Sequence, residues 1–298
     1  MSASLLDELK DWRSLVEERL AGYVASHVDF DGARPPARLA EAMGHALLAG
    51  GKRLRPLVVF AVNDALGGGV DDAVPAAVAI ELVHTYSLVH DDLPALDNDD
   101  LRRGRPTVHK AFDDATAILA GDALLTDAFA VLSGARHHAA HQVRELALAA
   151  GSAAMVGGQY DDIAAEGRAA STTSELDLRA IHRRKTGRLF GGAAALGALA
   201  ANRADVVDDA RAFGLALGFA FQVQDDVLDV EGDVALGGKT RGRDEKHDKL
   251  TYVRLLGLDG AKALAARAAK DAVDAALRLQ PQGDRLVRLA RFAATRTY

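Results

Sequence analysis

Apolar residues recur at helical spacing along most of this chain. Leu5, Leu9, Trp12, Val16, Leu20 and Tyr23 fall on one stripe, the repeat of three to four residues that lets one helical face meet a core. Similar patterning predicts helices over 38–49, 56–66, 72–92, 115–133, 139–163, 174–201, 205–231, 250–278 and 284–296. Proline breaks helices from within, and residues 107 to 280 contain none. Thr172 with Glu175 has the spacing of a capping box that opens one of these helices. No alternating strand pattern stands out. No linker or low-complexity segment divides the 298 residues, so the expectation is an all-α bundle forming one domain, 1–298.

The apolar pattern stops abruptly at HDDLPALDNDD, His90 to Asp100, where five aspartates crowd the end of a helix whose stretch Ile80 to Val89 carries one formal charge, Glu81. Carboxylates packed at a buried edge raise one another's pKa unless a cation neutralises them. A calcium loop starting at Asp97 would need glycine sixth and glutamate twelfth; Arg102 and Val108 stand there. Pro94 ends regular helix near Asp92, so Asp91 and Asp92 project from the helix end and Asp97 returns from a short loop. Magnesium takes one or two protein carboxylates together with waters and substrate phosphates, and an open acidic rim suits that use.

Phosphate calls for cations, and two basic groups flank the acids. LRRGRP brings Arg102, Arg103 and Arg105; GGKRLRP brings Lys52, Arg53 and Arg55. Arginine grips phosphate oxygens in pairs and lysine supplies a compact charge. The second half of the chain repeats the theme in FQVQDDVLDVEGD, where Asp225 and Asp229, four apart, share one face of an otherwise apolar helix with Asp226 beside them. Two such clusters facing each other across a bundle could hold several metal ions around one diphosphate.

At this point the chain resembles the polyprenyl diphosphate synthase family, in particular its bacterial short-chain members. GGKRLRP, YSLVHDDLPALDNDDLRRGRPTVHK, GGQYDD, HRRKTG and FQVQDDVLD carry the likeness over nearly the whole sequence, in the family's order. The resemblance implies a head-to-tail prenyltransferase that joins isopentenyl diphosphate to dimethylallyl or geranyl diphosphate, makes mainly farnesyl diphosphate, and works as a cytoplasmic homodimer. It implies Mg2+, three ions with substrate bound, with Mn2+ as an alternative. By the same resemblance Asp91 and Asp97 ligate metal with Asp92 beside them, and Asp225 ligates metal with Asp229 in support. Arg102, Lys185, Lys239 and Lys249 contact the allylic diphosphate; Lys52, Arg55, His84 and Arg103 grip isopentenyl diphosphate. Thr186 and Gln222 stabilise the cationic centre, Gln159 and Asp162 shape the wall, and Tyr86, with Ser87 next to it, sets product length. Asp248 departs from the pattern, since many relatives have glycine there.

Composition narrows the alternatives. There are no cysteines, hence no thiolate metal site. A formal charge of -6 argues against general nucleic-acid binding. The N-terminal MSASLLDELKDW lacks the order of a secretion signal. Leu189 to Ala201, the uncharged span that is the candidate, falls short of the roughly twenty residues a membrane helix needs. A terpene cyclase needs a motif built on asparagine with serine or threonine four later, and Asn63, Asn98 and Asn202 are followed at that distance by Gly67, Arg102 and Val206. A non-catalytic subunit would be expected to lose one acidic motif. A geranylgeranyl diphosphate synthase shares every residue above and stays open.

Overall fold

The structure is a computed structural model that describes residues 9–28, 31–166, 174–231, 250–280 and 284–295. Leu5, Thr172, Lys239 and Lys249 lie outside the described residues. The rest is helical. The order is α1 Lys10–Ser26, α2 Ala37–Leu47, α3 Leu54–Ala65, α4 Val70–Asp91, α5 Val108–Ala111, α6 Asp114–Ser133, α7 Ala139–Ala150, α8 Met155–Ala165, α9 Glu175–His182, α10 Arg188–Ala200, α11 Val207–Glu231, α12 Tyr252–Leu279 and α13 Arg285–Thr295.

The bundle is organised around α10. Every residue from Leu189 to Ala200 is buried, and the helix packs on α3, α4, α7 and α11. Its sequence, RLFGGAAALGALA, allows this because small residues let backbones approach. A Cβ on Gly197 would overlap the Val59 carbonyl of α3, and one on Gly214 of α11 would overlap the Phe190 carbonyl. Larger side chains fill the space around this axis, with Leu57, Phe60, Ile80, Leu82, Phe190 and Phe213 all buried. Each stabilises the fold by roughly 1.5–3 kcal/mol relative to exposure.

Four local features differ from expectation, each for a physical reason. The stretch 139–163 is two helices, because the chain turns through an extended Gly151 and folds over the first turn of α8, where a side chain on Gly157 would strike the Ser152 carbonyl. The capping box at α9 uses Ser174 and Asp177 rather than Thr172 and Glu175; both reciprocal bonds form. A small hairpin, β1 Leu101–Arg102 against β2 Arg105–Pro106, is too short to show alternation. Its turn residues Arg103 and Gly104 both have positive φ, as a type I′ turn requires. Finally, α4 and α6 have the length and hydropathy of membrane spans, 67% of the window in α4 and 33% of that in α6 being buried inside the bundle. Both are longer than Leu189–Ala201.

Between α9 and α10 the helix widens into a π turn, Arg183–Gly187. Such turns hold a poorer bond pattern and recur at functional sites. Here Gly158 of α8 makes room for it, since a Cβ there would overlap the Lys185 backbone. The π turn and the ends of α4 and α11 frame the site.

Candidate active site

One wall is the C-terminal end of α4 with the hairpin. The loop closes on itself: the Asp97 N–H donates to the Asp91 carbonyl at 2.8 Å, and the Asn98 N–H to the Leu93 carbonyl at 3.1 Å, with Asn98 in the left-handed region. Asp97 is thereby returned to the end of α4 beside Asp91. Asp92 points the other way. It is 2% exposed and receives the Arg102 fork, Nε at 2.9 and 2.7 Å and Nη2 at 2.6 Å. The other end of the loop is pinned by Thr107, whose hydroxyl donates to the Asp99 carbonyl at 2.8 Å.

The glycine corner before α3 adds cations to this wall. Arg53, at positive φ, is buried and spends its donors on Glu17, Glu81 and the Leu47 carbonyl. It therefore locks α1, α2 and α4 together and is not a phosphate contact. Arg103 donates to the Gly50 carbonyl, and its guanidinium packs where a Gly51 side chain would stand. The corner and the hairpin are thus one unit. Half-buried Lys52 sits within it. Arg55 lies with its guanidinium carbon 4.8 Å from the Phe190 ring centroid and its Nε unpartnered. Burial pushes Arg55 down to about 10, against the pull of Glu81 and Asp225. His84 is held well below its ordinary value by burial and by the surrounding Arg55, Arg103, Arg102 and Arg53. On this side of the wall a neutral imidazole stands among guanidinium groups.

The opposite wall comes from α8, the π turn and α11. Lys185 Nζ bonds Asp162 at 2.5 Å, and Arg184 bonds Asp161. The Thr186 hydroxyl donates to Gln222 Oε1 at 2.7 Å, and Gln222 Nε2 donates to Asp226 at 3.1 Å. Asp226, 3% exposed, also accepts the Tyr252 N–H at 2.8 Å, which ties α11 to the start of α12. Half-buried Asp225 and, one turn on, half-buried Asp229 complete this edge. Gln159 has both amide atoms buried and unpartnered among the described residues.

The walls face each other. Burial lowers the Lys185 pKa, but Asp162 and then Asp91 and Asp97 outweigh it and raise the net value. The lysine of the second wall therefore stands in the field of the first wall's aspartates. Conversely, Asp225 acts on Arg55 of the first wall and on His182 of its own. Among the described residues no three carboxylates or imidazoles converge closely enough to hold a metal alone. Split acidic edges with cations between them fit an ion that completes its shell with phosphate oxygens and water.

Tyr86 lies behind the first wall, buried, its ring edge-on to His90 at 5.8 Å between centroids. Burial, then Asp91, pushes its hydroxyl up to about 12. Ser87 turns back to the His84 carbonyl at 2.8 Å. Sequence reasoning did not single out His182, which is buried, edge-on to Tyr252 at 5.3 Å, with Nδ1 unpartnered. It also left Glu81 without a role, although a lone charge inside an apolar helix signals a buried partner; that partner is Arg53.

Comparison with known proteins gives the family. The polyprenyl synthetase family model matches residues 36–282, and the chain belongs to that family. It is 45% identical over 264 residues to farnesyl diphosphate synthase of Micrococcus luteus, covering 87% of this chain and 90% of the relative. It is 43% identical over 249 residues to the chloroplastic large subunit 1 of heterodimeric geranylgeranyl pyrophosphate synthase from Arabidopsis thaliana, covering 81% and 67%. Among solved structures, a geranyltransferase from Helicobacter pylori complexed with magnesium and isoprenyl diphosphate superposes with a TM-score of 0.80 at 32% identity, covering 95% of each chain.

Proposed function

We propose that this chain is a magnesium-dependent prenyltransferase that condenses isopentenyl diphosphate with dimethylallyl and then geranyl diphosphate, releasing mainly farnesyl diphosphate. The observation that carries this reading is the pair of acidic edges, Asp91 with Asp97 returned beside it at the end of α4, and Asp225 with Asp229 one turn on along α11. In this reading Asp91, Asp97 and Asp225, supported by Asp229, hold the metal ions, three with substrate bound. The metal supplies Lewis-acid stabilisation of the departing diphosphate.

The remaining roles belong to side chains. Lys185 and Arg102 add fixed positive charge where the allylic diphosphate leaves, and Lys239 and Lys249 join them. Preorganised charge of this kind stabilises a transition state without reorganising. Lys52, Arg55, Arg103 and neutral His84 receive the diphosphate of isopentenyl diphosphate. The Thr186 hydroxyl and the Gln222 amide oxygen, already joined at 2.7 Å, turn oxygen density towards the allylic cation. Gln159 offers its unpartnered amide as a wall and water site. Asp92, beside the metal ligand Asp91, serves catalysis by orienting Arg102. Tyr86 is the floor beneath the growing chain.

The chain is proposed to work as one domain, 1–298, in the cytoplasm and as a homodimer. Support for the dimer is the exposure of large apolar side chains on α6, α7 and α8, namely Leu119, Leu148, Val156 and Tyr160, which a second copy would cover. Geranylgeranyl diphosphate is the second reading, favoured by the geranylgeranyl pyrophosphate synthases among the relatives. Chromatography of products formed from isopentenyl diphosphate with each allylic starter separates the two. A main product of three isoprene units is expected; one of four units selects the second reading, and no product rejects both.

A further inference from the structure

Tyr86 and His90 are four apart on α4 and so share one face. Their rings meet edge to face, with planes at 80°. The far side of the imidazole is seated on α6: Nε2 lies 3.0 Å from the Ile118 carbonyl oxygen, to which it donates as the Nε2–H tautomer, with Asp122 Oδ1 at 3.9 Å. The ring reaches that backbone because residue 121 is glycine. A Cβ at 121 would overlap Nε2, Cδ2 and Cε1 of the imidazole, all three its nearest neighbours. Helix backbone, imidazole and phenol ring therefore form three layers in contact. Nothing in the catalytic assignments accounts for either His90 or Gly121.

We propose that His90, held in the gap left by Gly121, is a specificity-determining positioning residue that fixes the tilt of Tyr86 and so the length at which chain growth stops. This rests on Tyr86 being the floor. A tyrosine ring can leave its place by moving between staggered rotamers; an imidazole locked against α6 blocks the swing on one side. Loss of the imidazole lets the floor tilt and admits a longer tail.

The test compares products from geranyl and isopentenyl diphosphates with Mg2+ for the full chain and for Tyr86→Ala, His90→Ala, His90→Phe, Gly121→Ala and the His90→Ala Gly121→Ala double variant. His90→Ala is expected to raise the ratio of four-unit to three-unit product by about tenfold, the scale on which one pocket contact discriminates. His90→Phe keeps a ring behind Tyr86 and should stay near the wild-type ratio. Gly121→Ala evicts the ring and should lengthen the product, yet add nothing once His90 is already alanine, because residues acting through one contact are not additive. KM for isopentenyl diphosphate should change by less than about twofold in His90→Ala, which separates a moved floor from a damaged cleft.

A wild-type ratio in His90→Ala alongside a longer product in Tyr86→Ala overturns the inference and leaves the floor standing. No change in either variant overturns the floor itself. Additive shifts from His90→Ala and Gly121→Ala show that Gly121 does not act as the seat. Should His90→Ala not fold, His90→Phe and Gly121→Ala decide the matter, since the proposal requires the first to keep the product and the second to lengthen it.

Discussion

Asp91-Asp92 and Asp225-Asp226 occupy matching places, each at the cleft end of a long apolar helix, and in each pair the second carboxylate turns inward. What it meets there differs. Asp92 meets a cation: the Arg102 fork binds it through three short contacts and couples α4 to the hairpin. The contacts described for Asp226 are neutral donors, the Gln222 amide and the Tyr252 N–H, which couple α11 to α12. A doubled aspartate thus divides two tasks, one carboxylate for the cleft and one for the frame. On one side the frame includes the Asp92–Arg102 ion pair, and on the other it includes hydrogen bonds that Asp226 accepts from Gln222 and Tyr252.

The largest effect should come from the outward carboxylates, which the two sides use alike. Asp91→Ala and Asp225→Ala should each lower turnover by at least a thousandfold, roughly 4 kcal/mol of transition-state stabilisation. Near-normal turnover in one of them, measured with excess magnesium, would remove that wall from the chemistry.

Next come the inward carboxylates, where the walls should part. Asp92→Ala strands the half-buried Arg102 charge, so the loss should be about 3 kcal/mol, the lower end of the range for breaking a buried pair by removing one partner. Asp226→Asn keeps an oxygen for the Tyr252 N–H, so the loss should be nearer 1–2 kcal/mol, the scale of a compromised hydrogen bond. Urea unfolding of both variants decides this. Equal losses, or a larger one for Asp226→Asn, would show that the two inward carboxylates brace their walls to the same extent.

The placement of the outward carboxylates was legible in the sequence. Asp91 follows from the end of an apolar helix near Pro94, and Asp225 from its spacing of four to Asp229 on one face of α11. The inward roles were not legible. Nothing in the order of residues says that Arg102 folds back onto Asp92, since that depends on a turn with two positive φ values at Arg103 and Gly104. Arg53 read as one more phosphate cation until Glu17 and Glu81 were seen to enclose it. The fold was readable for a similar reason: helices such as α10 advertise themselves by composition, whereas the break at Gly151 depends on a backbone crossing that only the packed chain shows. The capping box shifted by two residues because Ser174 and Asp177 satisfy the same rule as Thr172 and Glu175.

The smallest test compares the two buried histidines, His84 of the first wall and His182 of the second. Burial pushes His182 from 6.5 down to about 4, with Asp162 pulling it back, Lys185 pressing it further down and Asp225 again opposing. In the unfolded chain it titrates near its ordinary value, about 6.5. Between these values the unfolded state binds a proton that the folded state refuses, so stability is full above about pH 6.5 and declines as pH falls towards 4. One unit below the unfolded value, at about pH 5.5, the loss is about 1.4 kcal/mol. His84 shifts in the same direction through burial and the arginines around it, so the wild-type protein should lose more than this. His182→Gln removes only the second wall's share. Urea unfolding at about pH 7.5 and about pH 5.5 should therefore show an acid-induced loss smaller by about 1 kcal/mol in His182→Gln than in the wild type. An equal loss in both would mean that Asp162 and Asp225 offset burial, so that His182 takes up its proton in the folded state as readily as in the unfolded chain. The protonated imidazole would then join Lys185 as a cation held by the carboxylates of the second wall.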